Sequence, residues 1–261
     1  VTQAKSTSAA DKNLDYLKML TSEQNIFALG LLIAGIILGT WTISLIFLLL
    51  VDIDKVNFCW IGLGIIWQTF LYAGLFITAH DAMHGLVFSK HPKINNLIGA
   101  ICVALYGLFP YQDLVQKHWR HHKYPGSQKD PDFHDGEHKS FWAWYFHFMC
   151  NYGTWKQLLG WTLIFNFLRF ILHLSPVNLI LFWCLPSLLS SIQLFYFGTY
   201  LTHKEPKEGY TNPHRAQSVA LPVFLSFLTS YHFIYHQEHH EYPQVPWWRL
   251  PEVRQQNADI S

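Results

Sequence analysis

Uncharged apolar runs dominate the first third of the chain. Residues 26–51 (IFALGLLIAGIILGTWTISLIFLLLV) hold no charged side chain. As a helix this run would extend about 39 Å at about 1.5 Å per residue, enough to cross a hydrocarbon core of about 30 Å with tilt. Thr21-Ser22-Glu23-Gln24, just upstream, has the spacing of a capping box that starts a helix. A polar turn with Asp52, Asp54, Lys55 and Asn57 follows, and residues 58–79 are again uncharged, ending at His80. The two runs predict a transmembrane hairpin. A second hairpin is predicted over about 155–174 and 177–201, interrupted only by Lys156 and Arg169 near the ends of its first arm. Pro186 lies inside the second arm and is placed to kink it.

Two further apolar stretches, 97–109 and 218–235, are less simple. The first is short for a span and reads as a re-entrant or interfacial segment. The second carries Pro222, Ser226, Thr229, Ser230 and His232. If either crossed alone, histidine clusters described below would fall on opposite faces of the membrane, so both are expected in or on the interface. The fold expected is all-α and integral to the membrane. Four transmembrane helices form two hairpins, with a cytosolic histidine-rich helical cap and interfacial helices. On this map only Lys55 and Arg169 reach the far side, while the other Lys and Arg residues share one side with both termini. The positive-inside rule makes that side cytoplasmic. Residues 1–24 read as a polar cytosolic segment and 25–261 as one membrane-embedded catalytic domain. The stretches 123–139, 203–217 and 241–261 read as cytoplasmic loops rather than linkers.

Composition agrees with a membrane protein. Of 261 residues, 51% are hydrophobic and 13% charged, against about 25% charged in an ordinary soluble domain. Such a chain can bury more apolar surface than its ordering requires, which excludes disorder. The 18 Lys and Arg nearly cancel the 17 Asp and Glu, leaving no positive field to bind a nucleic-acid backbone. Cys59, Cys102, Cys150 and Cys184 stand singly in apolar surroundings. They are expected to be small buried hydrophobes, with no disulfide framework or cysteine zinc site. Val1 opens the chain without an initiator Met or a cleavable signal pattern, so the numbering is expected to reflect a processed or shortened start.

Against this sparse charge stand 16 histidines. Three clusters stand out: His80-Asp-Ala-Met-His84, His118-Trp-Arg-His121-His122, and His236-Gln-Glu-His239-His240. On a helix, positions i, i+3 and i+4 share a face, so each cluster can aim two or three imidazoles at one point. Neutral imidazole suits iron, zinc, copper and nickel. Eight imidazoles exceed what one four- to six-coordinate ion accepts, so two metals are implied. His203, two residues past the last span, is a ninth candidate. Zinc would suit hydrolysis or structure; for redox chemistry iron is the natural choice, with positions left open for O₂.

These boxes, at the cytosolic ends of two hairpins, resemble the integral-membrane fatty acid desaturase and hydroxylase superfamily. Within it the flanking residues most resemble the bacterial and cyanobacterial β-carotene ketolases, over about residues 25–254. The matching stretches are His80-Asp81-Ala82-Met83-His84-Gly85, then His118 to His122 followed by Pro125-Gly126 and Asp130-Pro131-Asp132. Phe197-Gly198-Thr199-Tyr200-Leu201-Thr202-His203 and Ser230-Tyr231-His232-Phe233 running on to Glu241-Tyr242-Pro243 complete them. One departure is Thr202-His203-Lys204, where many relatives have Pro-His-Arg; His203 itself is kept.

The resemblance implies that His80, His84, His118, His121, His122, His203, His236, His239 and His240 ligate two iron ions. These ions would activate O₂ with electrons from an external carrier, expected to be a ferredoxin-type donor. His232, four residues before His236, is either a tenth ligand or a group that orients one. His91, His134, His138, His147, His173 and His214 lack a clustered partner and are expected at surfaces or interfaces. Asp81, Asp113, Asp132, Glu238 and Glu241 lie near the boxes. Metal-bound histidines usually donate their other N–H to a carboxylate or carbonyl; Asp81 is the first choice for that role. Arg120 either pairs with one of these acids or is a solvated charge. The implied reaction oxidises the C4 methylene of a β-ionone ring of β-carotene, drawn from the bilayer, to a ketone such as echinenone or canthaxanthin. It proceeds by two O₂-dependent hydroxylations and a dehydration. Phe109, Tyr196, Tyr200 and Tyr231 are placed to meet the ring. The alternatives are a fatty acyl desaturase or hydroxylase of the same superfamily and a non-enzymatic metal transporter or bis-histidine haem protein. A transporter would carry polar groups near the midplane rather than clusters at span ends.

Overall fold

The computed structural model describes residues 23–260. The polar N-terminal segment up to Ser22, and with it the first half of the expected capping box, lies outside the described residues. Among the described residues every regular element is helical. The first hairpin is α1 (Glu23–Leu50) and α2 (Phe58–Met83). The Asn57 side chain accepts from the Cys59 N–H at 2.9 Å and so caps the start of α2. Residues such as Ile43, Phe47, Trp60 and Ile66 expose large apolar side chains along these helices, as lipid-facing surfaces require. From Gln68 onward α2 turns almost wholly inward and becomes the centre of the core. The Ser44 hydroxyl donates to the Gln68 side chain at 2.8 Å between the two helices.

After α2 the chain folds back into α3 (Pro92–Gly107) and α4 (Tyr111–Lys123). Asn95 makes this turn: its side chain donates to Ala82 O at 2.7 Å and accepts from the N–H groups of Val87 and Phe88. Leu108 adopts φ 57°, Pro110 follows, and the axes of α3 and α4 differ by 98°. Together the two are long and apolar enough to form a broken span or a re-entrant loop. Next come α5 (Phe141–Tyr152) and α6 (Trp155–Phe170), the latter started by a full capping box of Thr154 and Gln157.

The four expected spans are met in part. Among the described residues three helices are long and apolar enough to cross a membrane: Ala28–Leu50 within α1, α2, and α7 (Pro176–His203). The run expected over 155–174 is helical only to Phe170. Its 16 residues extend about 24 Å, short of a hydrocarbon core of about 30 Å. Leu174 N–H bonds back to Leu168 O at 3.1 Å and His173 takes φ 54°, which ends the helix early. Asn178, at the start of α7, donates to the carbonyls of Leu48, Leu49 and Val51, satisfying the open C-terminal end of α1. Those contacts fix the far end of the bundle, so α7 runs back toward the end of α2.

Two stretches of α7, Leu179–Cys184 and Tyr196–Tyr200, are wound as π-helix. The first precedes Pro186, whose missing N–H it accommodates. The second delivers His203 to the end of α2. The apolar stretch 218–235 holds only the short helix α8 (Val223–Ser230), too short to span. Helices α9 (His236–Glu241) and α10 (Leu250–Ile260) close the chain. The four cysteines are unpaired, but Cys59 and Cys150 are exposed rather than buried.

Candidate metal centre

Four elements converge at the inner ends of α2 and α7. The end of α2 carries His80 and His84, α4 carries His118, His121 and His122, His203 ends α7, and α9 carries His236, His239 and His240. The nine histidines fall into two groups, in each of which one nitrogen from every ring lies within 4.8 Å of the others. His80, His84, His118, His122 and His239 form one; His121, His203, His236 and His240 form the other. Each HxxHH box is divided between them. On a helix of 3.6 residues per turn, positions i+3 and i+4 fall about 100° apart and flank position i on opposite sides. His118 and His122 therefore serve the first group while His121 turns to the second. On α9 the pair His236 and His240 serves the second and His239 the first.

Within the first group the Nε2 atoms of His84 and His118 lie 2.7 Å apart, and those of His122 and His239 3.0 Å apart. In the second, His240 Nε2 lies 3.0 Å from His121 Nε2 and 3.1 Å from His236 Nε2. The rings of His122 and His240 stack at 4.3 Å and join the groups. Burial, reinforced by the neighbouring imidazoles, holds His118, His122, His239 and His240 well below the ordinary histidine range. They are neutral at pH 7, the form that binds metal.

The supports differ between the groups. His203 donates from Nδ1 to Arg215 O at 2.9 Å. His121 Nδ1 lies 2.9 Å from Asp130 Oδ1 and 3.7 Å from Asp132 Oδ2. Burial alone would raise the Asp130 carboxyl, but His121 outweighs it and holds it below the usual range. Asp130 also accepts from the N–H groups of Gly126 and Asp132. It is the carboxylate most directly bonded to an imidazole of either group, and the spacing of the boxes gives no sign of it beyond the Asp-Pro-Asp motif. Asp81 is 3.7 Å from His80 Nδ1 and accepts from the Trp247 N–H at 3.2 Å, so it ties the C-terminal segment to α2. Glu238 pairs with Arg254 at 2.7 Å and accepts from the Ser218 hydroxyl. Glu241 accepts from Gln237, and Asp113 is exposed.

His232 stands outside both groups. Tyr231 and His232 both take positive φ, and α9 begins only at His236, so the helical face assumed for His232 does not exist. Its Nδ1 lies 2.6 Å from the Ser226 hydroxyl instead. Of the four residues expected to meet a substrate, Phe109 lines the cavity beside the histidines. Tyr196 and Tyr200 pack against Phe141, and Tyr231 stacks on Phe70.

That cavity is apolar and opens onto His80, His118, His121 and His236. Phe76, Phe148, Leu194 and Phe195 wall it, and Phe233 stands edge-on to His80 and His236 at 4.8 and 4.9 Å. Asp132 and Tyr152 face it too, joined by a hydrogen bond from the tyrosine hydroxyl.

Comparison with known proteins places this architecture. Residues 56–156 and 150–260 match the family described as fatty acid desaturase. The chain belongs to the fatty acid desaturase family. It is similar to a beta-carotene ketolase of Haematococcus lacustris, 43% identical over 194 residues covering 71% of this chain and 59% of that protein. A beta-carotene ketolase of Paracoccus sp. (strain N81106 / MBIC 01143) is 41% identical over 193 residues, 74% of this chain and 77% of that protein. A zeaxanthin 4-ketolase of Chlamydomonas reinhardtii is 39% identical over 222 residues, 83% of this chain and 49% of that protein. The chain thus spans less than two thirds of the length of the Haematococcus and Chlamydomonas relatives.

The side chains of this desaturase-family chain fit a pair of metal ions. Metal–nitrogen bonds of about 2.0–2.1 Å at right or tetrahedral angles set neighbouring nitrogens about 2.8–3.4 Å apart, close to the spacings seen. His203 spends its Nδ1 proton on Arg215 O, so its buried Nε2, which has no hydrogen-bond partner, offers a lone pair to the second group. Both ring nitrogens of His80 are likewise buried without a hydrogen-bond partner. A buried polar atom left so costs free energy unless something binds it.

Proposed function

We propose that the chain is a membrane di-iron oxygenase that converts the C4 methylene of carotenoid β-ionone rings to a ketone. The observation that carries this reading is the apolar, aromatic-walled cavity ending on four of the metal-site histidines. It suits a hydrocarbon ring delivered from lipid, and the ketolase names of the relatives agree. Two irons held by the nine histidines would supply O₂ activation. Phe76, Phe109, Phe148 and Phe195 bind the ring and exclude water. Phe233 sets the depth to which the ring can travel, and Asp130 and Arg215 O hold His121 and His203 in the tautomer that leaves Nε2 free. Each round replaces one C–H by C–OH and consumes one O₂, two electrons and two protons, releasing one water. A second round at the same carbon gives a geminal diol, which loses water to the ketone. The electrons come from a ferredoxin-type carrier, and the metal centre and both termini lie on the cytoplasmic side.

Expression in bacteria that make β-carotene, with product identification and metal analysis, tests this. Ketocarotenoid and two irons per chain without a Soret band are expected. A new acyl double bond without ketocarotenoid would place the chain with the acyl-modifying members instead.

Gly198 offers a sharper test of the cavity. It lies on the second π-helical stretch, and a Cβ there would overlap the Phe233 ring. Gly198→Ala should cost about 1–3 kcal/mol by overpacking and push Phe233 into the ring's path. Ketone output in the same host should fall about tenfold or more, while iron content of the purified variant stays near that of the parent.

A further inference from the structure

Helix α4 has an exposed side that the centre itself does not use. Trp119, inside the second histidine box, leaves 46% of its surface exposed. Its ring nevertheless packs against His84 at 5.0 Å and His122 at 5.7 Å, both in the first metal group. Arg120 and Lys123 flank it, both exposed, and Arg120 makes no ion pair among the described residues. The nearest acid on this side of the helix, Asp113, is in its first turn, about 10 Å away along the axis. Arg120 also lines a neighbouring polar cavity with Lys117 and Lys129. At the back of that cavity sits Asp130, which holds His121 of the second group. Asp135 is on its rim, its carboxylate engaged by His138 at 2.6 Å. The surface around Arg120 is thus basic; through Trp119 it meets two histidines of the first group, and it borders Asp130, which supports the second.

We infer that this surface, Trp119 with Arg120 and Lys123, is where a small acidic one-electron iron–sulfur carrier docks and passes its electrons to the centre. The inference rests on the oxygenase reading above. The basic rim would steer an acidic partner and set its orientation, and transient redox partners need only a small contact. The Trp119 ring then offers the shortest covered route from the contact to His84 and His122. Two reduced carriers each give one electron per round and leave oxidised. With two protons, one O₂ and one substrate C–H, the products are the C–OH and one water.

The test uses the iron-loaded full chain in lipid nanodiscs and an acidic [2Fe–2S] ferredoxin as probe. Binding of oxidised ferredoxin is measured against salt, and reduction of the centre is timed with reduced ferredoxin and, separately, with dithionite. Arg120→Glu with Lys123→Glu should weaken ferredoxin binding at least tenfold at low salt and flatten its salt dependence. Trp119→Leu, which keeps an apolar side chain, should change binding less than about twofold. It should slow reduction by ferredoxin about tenfold or more without slowing reduction by dithionite. Unchanged binding in the charge-reversed variant overturns the proposal. So does an unchanged ferredoxin rate in Trp119→Leu, the result expected if Trp119 merely anchors in lipid, or equal slowing with both reductants. Absence of any C4-oxidised carotenoid from wild-type protein that is first reduced, freed of excess dithionite and then given O₂ and β-carotene would instead refute the oxygenase reading and leave the docking result to stand or fall on binding alone.

Discussion

Replacing His203 by alanine is expected to empty one metal position and abolish ketone formation. His203 is 1% exposed and its ring lies 4.7 Å from that of His121 and 4.8 Å from that of His236. It is one of only four histidines in its group, so its loss leaves three ligands where iron prefers more, and Arg215 O loses its donor. Iron per chain should fall from about two to about one, since the five-histidine group keeps every ligand. His84→Ala removes one ligand of five and should weaken the other position less. Metal analysis and product extraction from the same preparations decide it. Full ketone output from both variants would refute a shared two-metal centre, because each variant strips a different group.

Much of this site is legible from spacing alone. All nine histidines gathered in space follow from the i, i+3, i+4 boxes and from the position of His203 just past an apolar run. The pairing within the boxes is also implicit there, since His80 with His84, His118 with His122, and His236 with His240 are all i, i+4 pairs. What spacing does not disclose is that the i+3 residues, His121 and His239, cross to the opposite group. That depends on α4 and α9 lying between the two metal positions, which is a matter of tertiary packing. His232 misled for a related reason: i−4 from His236 has meaning only if one helix continues, and two residues of positive φ break it. The length of the third apolar run misled too, because hydropathy continues through residues 171–174 while the backbone does not remain helical.

The role of Asp130 shows where sequence distance fails altogether. Asp81 follows His80 in sequence and Asp130 is next to no box histidine, yet Asp130 lies 2.9 Å from its imidazole partner and Asp81 3.7 Å from its own. A turn brings Asp130 there. Gly126 takes φ 62°, a conformation that favours glycine, and gives its N–H to Asp130 at 2.8 Å. Gly126 O accepts from the Arg215 guanidinium at 2.7 Å, and Arg215 O accepts from His203. One short path therefore links the supports of His121 and His203, two of the four histidines in the second group.

Asp130→Ala should for that reason act on both. It leaves the N–H groups of Gly126 and Asp132 without their acceptor in a buried site, at about 1–3 kcal/mol each. It also frees the His121 ring to turn and to bear its proton on either nitrogen, a loss that typically costs about 10- to 100-fold in metal affinity. Thermal unfolding with and without iron separates the two effects. The metal-free variant should already melt below the metal-free parent, and the stabilisation that iron adds should shrink further. Asp130→Asn retains one acceptor oxygen but not the charge that draws the His121 proton to Nδ1, so it should lower iron affinity while disturbing metal-free stability less. Equal iron affinity in Asp130→Ala and the parent would mean that Asp130 serves the turn alone and that His121 needs no carboxylate to hold its metal.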